Sequence, residues 1–346
     1  MTRKKAVIVC PGRGTYNAAE LGYLARHHAD KGDFIAMVDA LREAEGQTPV
    51  SALDVAERFS LARHTSSENA SPLIFACALA DFMAIDREQY DIVAVTGNSM
   101  GWYLALTAGG ALSHEEGARL VNTMGKIMQA EGRGGQVVYP VVDDDWQPVK
   151  EAADFIEASI GLAAAPGSQM NIHASIRLGG LMVLGADEKG MKYLGNRLPR
   201  DGRYPMQLAN HAAFHTPLLS HVPPLAQEKL GAEMFAKPAI PLIDGKGNQW
   251  SPWSTDTTAL HGYTLGAQID TTYDFSKAIE VAAKEYAPDV FILLGPGTTM
   301  GAPVAQELIR HRWRGLTGKS AFKTRQGSDP LILSMGMEDQ RKLVVG

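Results

Sequence analysis

The chain is poor in cysteine, with two in 346 residues, and it has no long basic run, no internal repeat and no low-complexity tract. It also has no apolar stretch near the roughly 20 residues a membrane helix needs. Each shortage excludes something. Cys10 and Cys77 sit in apolar stretches as small core residues do, so a disulfide scaffold is excluded and a reduced, cytoplasmic setting is expected. With 33 Lys+Arg against 38 Asp+Glu, a net charge of -5, nothing draws the protein to nucleic acid or to an anionic membrane. Arg3-Lys4-Lys5 before "AVIVC" imitates a signal peptide, but the apolar run stops at Pro11, too short for an h-region. No Cys/His cluster has ligand spacing, so neither a metal nor a diffusible cofactor is expected.

What is present is apolar and rich in glycine: 45% hydrophobic residues and 35 glycines, in a chain long enough for a substantial core. A buried strand is predicted over Ala6–Cys10, helices over Phe34–Glu45 and Pro72–Met83, and another buried strand over Ile92–Val95. A helix from Met100 and a further one over Gly117–Gln129 follow. From Gln136 to Leu208 the order becomes β-α-β-β-α-β, the ferredoxin-like arrangement. The α/β texture then resumes with strand "PLID", helix Lys277–Tyr286 and strand Val290–Leu294. The expected fold is therefore α/β: a large, α/β-hydrolase-like domain with a mostly parallel sheet (1–132 and 209–346) and an inserted ferredoxin-like subdomain (133–208). The polar stretch from Thr317 is expected to wrap the surface or fray.

Gly97-Asn98-Ser99-Met100-Gly101 fits the G-x-S-x-G nucleophile elbow, in which a strand turns sharply into a helix. By itself the pattern also describes an ordinary turn with Ser99 as a cap. The earlier "PGRGT" is a glycine loop, but Asn17 occupies the third glycine position of a dinucleotide fingerprint. A serine nucleophile needs a base, and His215, in "NHAAFHTPLLS", is the candidate among ten histidines.

In that phrase the chain resembles the malonyl-CoA:acyl carrier protein transacylase family, including the acyltransferase domains of polyketide synthases. "CPGRGT", "GNSMGWY", "AAFH" and "LLGPG" are similar to the family's F-P-G-Q-G-S, G-H-S-x-G-E-Y, G-A-F-H and G-P-G phrases, in the same order, and the likeness spans residues 5–305. The resemblance implies a seryl acyl-enzyme with Ser99 as nucleophile and His215 as general base. It implies an oxyanion hole from the backbone N–H groups of Arg13 and Met100, and acyl-CoA and an acyl carrier protein as partners. It further implies a backbone carbonyl that orients the histidine, for which "IDGKG" offers Gly245; Asp244 is taken as a solvated turn residue.

The pattern breaks around the acyl group. The family's carboxylate-binding arginine falls on Met124, the histidine before the serine on Asn98, the glutamate after the elbow on Trp102, and a frequent glutamine on Ser71. With Phe214, these define an expected acyl pocket more apolar than the family's, suited to a neutral group such as acetyl or a longer chain rather than malonyl. Arg13 offers a replacement cation from another direction, which keeps a malonyl transferase with an altered carboxylate site as an alternative. A carrier-protein thioesterase would use the same dyad and differ only in water access. An ordinary α/β-hydrolase esterase fits less well, for want of an H-G-G-type loop, and a non-enzymatic carrier-binding relative has no use for the dyad.

Overall fold

The computed structural model describes residues 2–345. The large sheet is formed by β1 (Lys4–Cys10), β2 (Tyr90–Gly97), β7 (Leu242–Ile243), β8 (Gln249–Trp250), β10 (Val290–Leu293) and β11 (Ile332–Ser334), in the order β11-β10-β1-β2-β7-β8. All neighbours are parallel except the β7–β8 edge hairpin. Ala6–Cys10 have no exposed surface, as a central strand covered on both faces requires. Placing β1 between β2 and β10 brings the glycine loop after β1 and the elbow after β2 to one edge, where the carboxyl ends of parallel strands form a crevice.

The second sheet is built from β3 (Gly135–Pro140), β4 (Ile172–Leu178), β5 (Leu181–Ala186), β6 (Met206–Gln207) and β9 (Tyr273–Asp274), in the order β6-β3-β5-β4-β9. β3, β4, β5 and β6 pair antiparallel, with helices Lys150–Ala164 and Glu188–Arg197 between them, in the predicted β-α-β-β-α-β order. The fifth strand lies outside that pattern: β9 comes from beyond residue 208 and pairs parallel with β4.

Helix Ser67–Ala84 is longer than predicted and buried over most of its surface, consistent with the unbroken apolar run from Pro72 to Ala80. Pro72 lies inside it and cannot donate to the carbonyl of Glu68. That oxygen instead accepts from Arg42 Nη1 at 2.9 Å, and the same buried guanidinium serves Asn122 Oδ1 and Asn69 Oδ1. Helix His114–Glu131 packs closely enough that a Cβ on Gly125 would meet the Ser67 carbonyl at 2.7 Å.

The C-terminal stretch neither frays nor merely wraps the surface. After helix Lys319–Ser328, β11 joins the large sheet beside β10, and Arg341 reaches back to the buried Asp81 carboxylate at 2.6 Å. Asp81 also meets His28 Nε2 at 2.8 Å and accepts from Tyr23 OH and Gly295 N–H. Among the described residues no helix is long and apolar enough to cross a membrane.

Candidate active site

The glycines that flank Ser99 make a tight elbow possible. A Cβ on Gly97 would meet the Gly101 carbonyl at 2.2 Å, and one on Gly101 the Cys10 carbonyl at 2.5 Å. Both glycines let β2 turn directly into helix Gly101–Ala108 against the end of β1. Ser99 adopts φ 57°, a left-handed conformation that a non-glycine residue holds only when its surroundings fix it. The glycine loop presses on the elbow from the other side: a Cβ on Gly12 would meet the Asn98 carbonyl at 2.7 Å.

Ser99 Oγ lies 2.6 Å from His215 Nε2. His215 also has a positive φ of 56°. Its backbone N–H donates to Ile269 O at 3.0 Å, and its Nδ1 lies 2.6 Å from Gln268 O. A carbonyl only accepts, so Nδ1 carries the proton and Nε2 is free to accept from the serine. Burial pulls the His215 pKa down to about 4, partly opposed by the Gln268 carbonyl. The imidazole is thus neutral at pH 7, the form a general base requires.

The orienting carbonyl is that of Gln268, not Gly245. Gly245 N–H donates to the Tyr263 hydroxyl, and Gly245 O accepts from Asp274 N–H. Asp244 is a turn residue, as expected, but it is buried and not solvated. Its carboxylate accepts from Lys246 N, Asn248 and Trp250 Nε1, closing the β7–β8 hairpin, and burial raises its pKa.

A small cavity opens on Ser99 and is lined by Met100, Arg13, Ser71, Met124 and Phe214. Two of the residues expected there lie elsewhere. Trp102 is fully buried in the core, donating from Nε1 to Thr264 Oγ1 at 3.0 Å; the 100° step of a helix turns it away and brings Tyr103 to the cavity instead. Asn98 lines a second, larger cleft between the two sheets, which also reaches Ser99. Tyr103, Val121, Met128 and Gln268 also line the first cavity, and no sequence motif marks them. Val121, Met124 and Met128 form an i, i+3, i+7 stripe, a signal that the helical period could have supplied.

The Arg13 side chain is tied down by uncharged oxygens: Nη1 donates to Ser67 Oγ at 2.9 Å, and Nη2 to Thr65 O at 2.8 Å and Asn210 O at 3.0 Å. It lies over the Phe214 ring, 5.3 Å from its centroid. Burial lowers its pKa to about 10, leaving it cationic at pH 7. Nearby His211 bonds Gln136 Oε1 at 2.8 Å and is pulled down to about 3, by burial and then by the Arg13 charge. Among the described residues no three His, Cys, Asp or Glu side chains converge as a metal site.

If His215 is the base, His215→Ala slows acylation of Ser99 by at least about a hundredfold. The acid limb of the wild-type rate then falls near pH 4 rather than 6.5, because the base is lost only when the buried imidazole protonates. Stopped-flow acylation from about pH 3.5 to about pH 8 checks both; an acid limb at the ordinary histidine value would remove His215 from the role.

An elbow serine in contact with a histidine, at the edge of a mostly parallel sheet, has the strand-turn-helix geometry of the elbow in α/β folds. No family model matches the chain. It is 27% identical over 243 residues to the phenolphthiocerol synthesis polyketide synthase type I Pks15/1 of Mycobacterium marinum, covering 69% of this chain and 10% of that protein. It is 23% identical over 220 residues to the malonyl CoA-acyl carrier protein transacylase of Salmonella typhimurium, covering 60% of this chain and 63% of that one. The chain thus spans less than two thirds of either relative. The malonyl-CoA:acyl carrier protein transacylase of Xanthomonas oryzae superposes with TM-score 0.76 at 19% identity, over 100% of both chains. A malonyl-transacylase in complex with its holo type II polyketide acyl-carrier protein gives 0.72 at 17%, over 99% of both. The chain has the fold of the malonyl-CoA:acyl carrier protein transacylases, as its sequence resemblance implied.

Proposed function

We propose that this protein is an acyltransferase that moves an acyl group from acyl-CoA to the phosphopantetheine thiol of an acyl carrier protein. The observation that carries the reading is the 2.6 Å contact of Ser99 Oγ with a neutral His215 at the mouth of the cavity. In the first half-reaction Ser99 Oγ attacks the thioester carbonyl while its proton passes to His215 Nε2. The C–S bond then breaks and the departing sulfur takes that proton. In the second, the carrier thiol gives its proton to Nε2 as its sulfur attacks the seryl ester; the C–Oγ bond then breaks and Ser99 Oγ takes the proton back. The backbone N–H groups of Arg13 and Met100 are the proposed donors to the tetrahedral oxyanion. A cytoplasmic setting agrees with two buried free thiols.

The acyl group we propose is neutral. Met124 faces the cavity where a carboxylate would need a cation, and a thioether cannot replace the lost hydration of a charge. Arg13 lines the same cavity, but three of its N–H groups are already spent on Ser67, Thr65 and Asn210, and its Nε is enclosed without a partner. A two-pronged grip on a carboxylate would require breaking those bonds. Met124→Arg should therefore raise the malonyl-CoA to acetyl-CoA rate ratio by about tenfold or more, the worth of one charge-assisted hydrogen bond. An unchanged ratio would place the acyl group elsewhere.

Intact-protein mass spectrometry with acetyl-, malonyl- and medium-chain acyl-CoA, with and without a holo carrier protein, tests the whole reading. An adduct on Ser99 that passes to the carrier supports it and identifies the acyl group by mass. Thioester consumption without transfer selects the hydrolase, and a malonyl adduct alone overturns the neutral pocket.

A further inference from the structure

We propose that the side-chain carboxamide of Gln268 is a positioning residue that holds the nucleophile and its base in register. Its main-chain carbonyl already fixes His215 Nδ1. Its side chain makes a second, separate connection, in which Nε2 donates to the backbone carbonyl of Ser99 at 3.1 Å and Oε1 accepts from Tyr103 OH at 2.9 Å. Gln268 is 3% exposed, so both bonds are shielded from competing water.

Three features make this more than packing. Ser99 and His215 both sit at positive φ, so each depends on neighbours to stay there. Gln268 touches both, and through Tyr103 it also grips the helix that Ser99 opens. The amide can point only one way, since flipping it would set Oε1 against the Ser99 carbonyl, two acceptors with no proton between them. A carbonyl is available from any residue, whereas a donor and an acceptor at this reach are available from glutamine. The 2.6 Å Ser99–His215 contact is thus held from one residue, with the base fixed by main chain and the nucleophile by side chain.

The proposal rests on Ser99 acting as the nucleophile. It is tested with a fluorophosphonate, which needs no acyl substrate: Ser99 Oγ bonds phosphorus, fluoride leaves, and the serine proton passes to His215. Gln268→Met keeps length and volume but makes neither bond. It should label at least about tenfold more slowly while its thermal midpoint stays close to wild type, and in acylation kcat should fall with KM nearly unchanged. Tyr103→Phe should slow labelling less, and the double variant no more than Gln268→Met alone, because both cut one chain of contacts.

Gln268→Glu keeps the acceptor for Tyr103 but sets a carboxylate against the Ser99 carbonyl. Its labelling rate relative to wild type should rise as pH falls and the carboxyl regains a proton to donate. Wild type measured at each pH supplies the reference rate. A Gln268→Met protein that labels at the wild-type rate overturns the proposal. If that variant does not fold, a pH-independent ratio for Gln268→Glu does so. A wild-type protein that labels on Ser99 yet takes no acyl group from any thioester overturns the transferase reading and leaves this one standing.

Discussion

A Ser99→Ala protein incubated with acyl-CoA is expected to gain no mass, under conditions that load the wild type to one acyl group per chain. The expectation follows from what else lines the cavity. Ser67 Oγ accepts a bond from the Arg13 cation, and a base is what a hydroxyl nucleophile needs. Tyr103 OH is spent on Gln268 and its pKa is pushed well up by burial. The two thiols are no substitute, because burial holds both Cys10 and Cys77 far from the thiolate form. The loss should therefore be complete rather than partial. An adduct of the same mass on Ser99→Ala would remove Ser99 from the mechanism and send the search to another group.

The second large effect falls far from the cavity, on stability. Arg341→Met should cost about 3 kcal/mol, the lower end of the range for breaking a buried ion pair by removing one partner. The methionine can fill the volume, but it leaves the buried Asp81 carboxylate without its guanidinium partner, with only His28 Nε2 still beside it on that side. Tyr23 OH and Gly295 N–H still donate to the carboxylate, which is why the upper end is not expected. Urea unfolding, with the midpoint multiplied by the slope, measures it. A change under about 1 kcal/mol would mean that the Arg341–Asp81 pair adds little to the stability of the fold. Limited proteolysis should agree, with cleavage beyond Thr317 much faster in the variant.

Ser99 and His215 are legible in the sequence because each stands in a phrase whose glycines or small neighbours serve it alone: the steric closeness at Gly97 and Gly101 leaves few other sequences possible. The orienting group is not, because a main-chain carbonyl leaves no mark on residue type. "IDGKG" draws attention by its turn chemistry, which in fact closes a hairpin around Asp244. Trp102 misleads through its size, since a large apolar side chain next to an elbow fits a pocket or a core equally well and only the helix phase decides. The C-terminal strand hides in polar surroundings: three residues, Ile332–Ser334, are too few to show a period. β9, at two residues, is invisible for the same reason, and its place in the small sheet cannot be found without knowing what pairs with it.

That short strand limits how the protein can be recombined. Tyr273 sits in the edge of the small sheet against Ile176 and donates its hydroxyl to the Gly97 carbonyl at the elbow. Shortly before β9 the same segment carries Gln268 and Ile269, the two carbonyls on His215. A chimera that exchanged residues 133–208 with those of a relative would therefore leave a borrowed sheet to mate with a native edge. Any mismatch would be delivered to the nucleophile and the base together, so the smallest transplantable unit includes the stretch from Gln268 to Asp274.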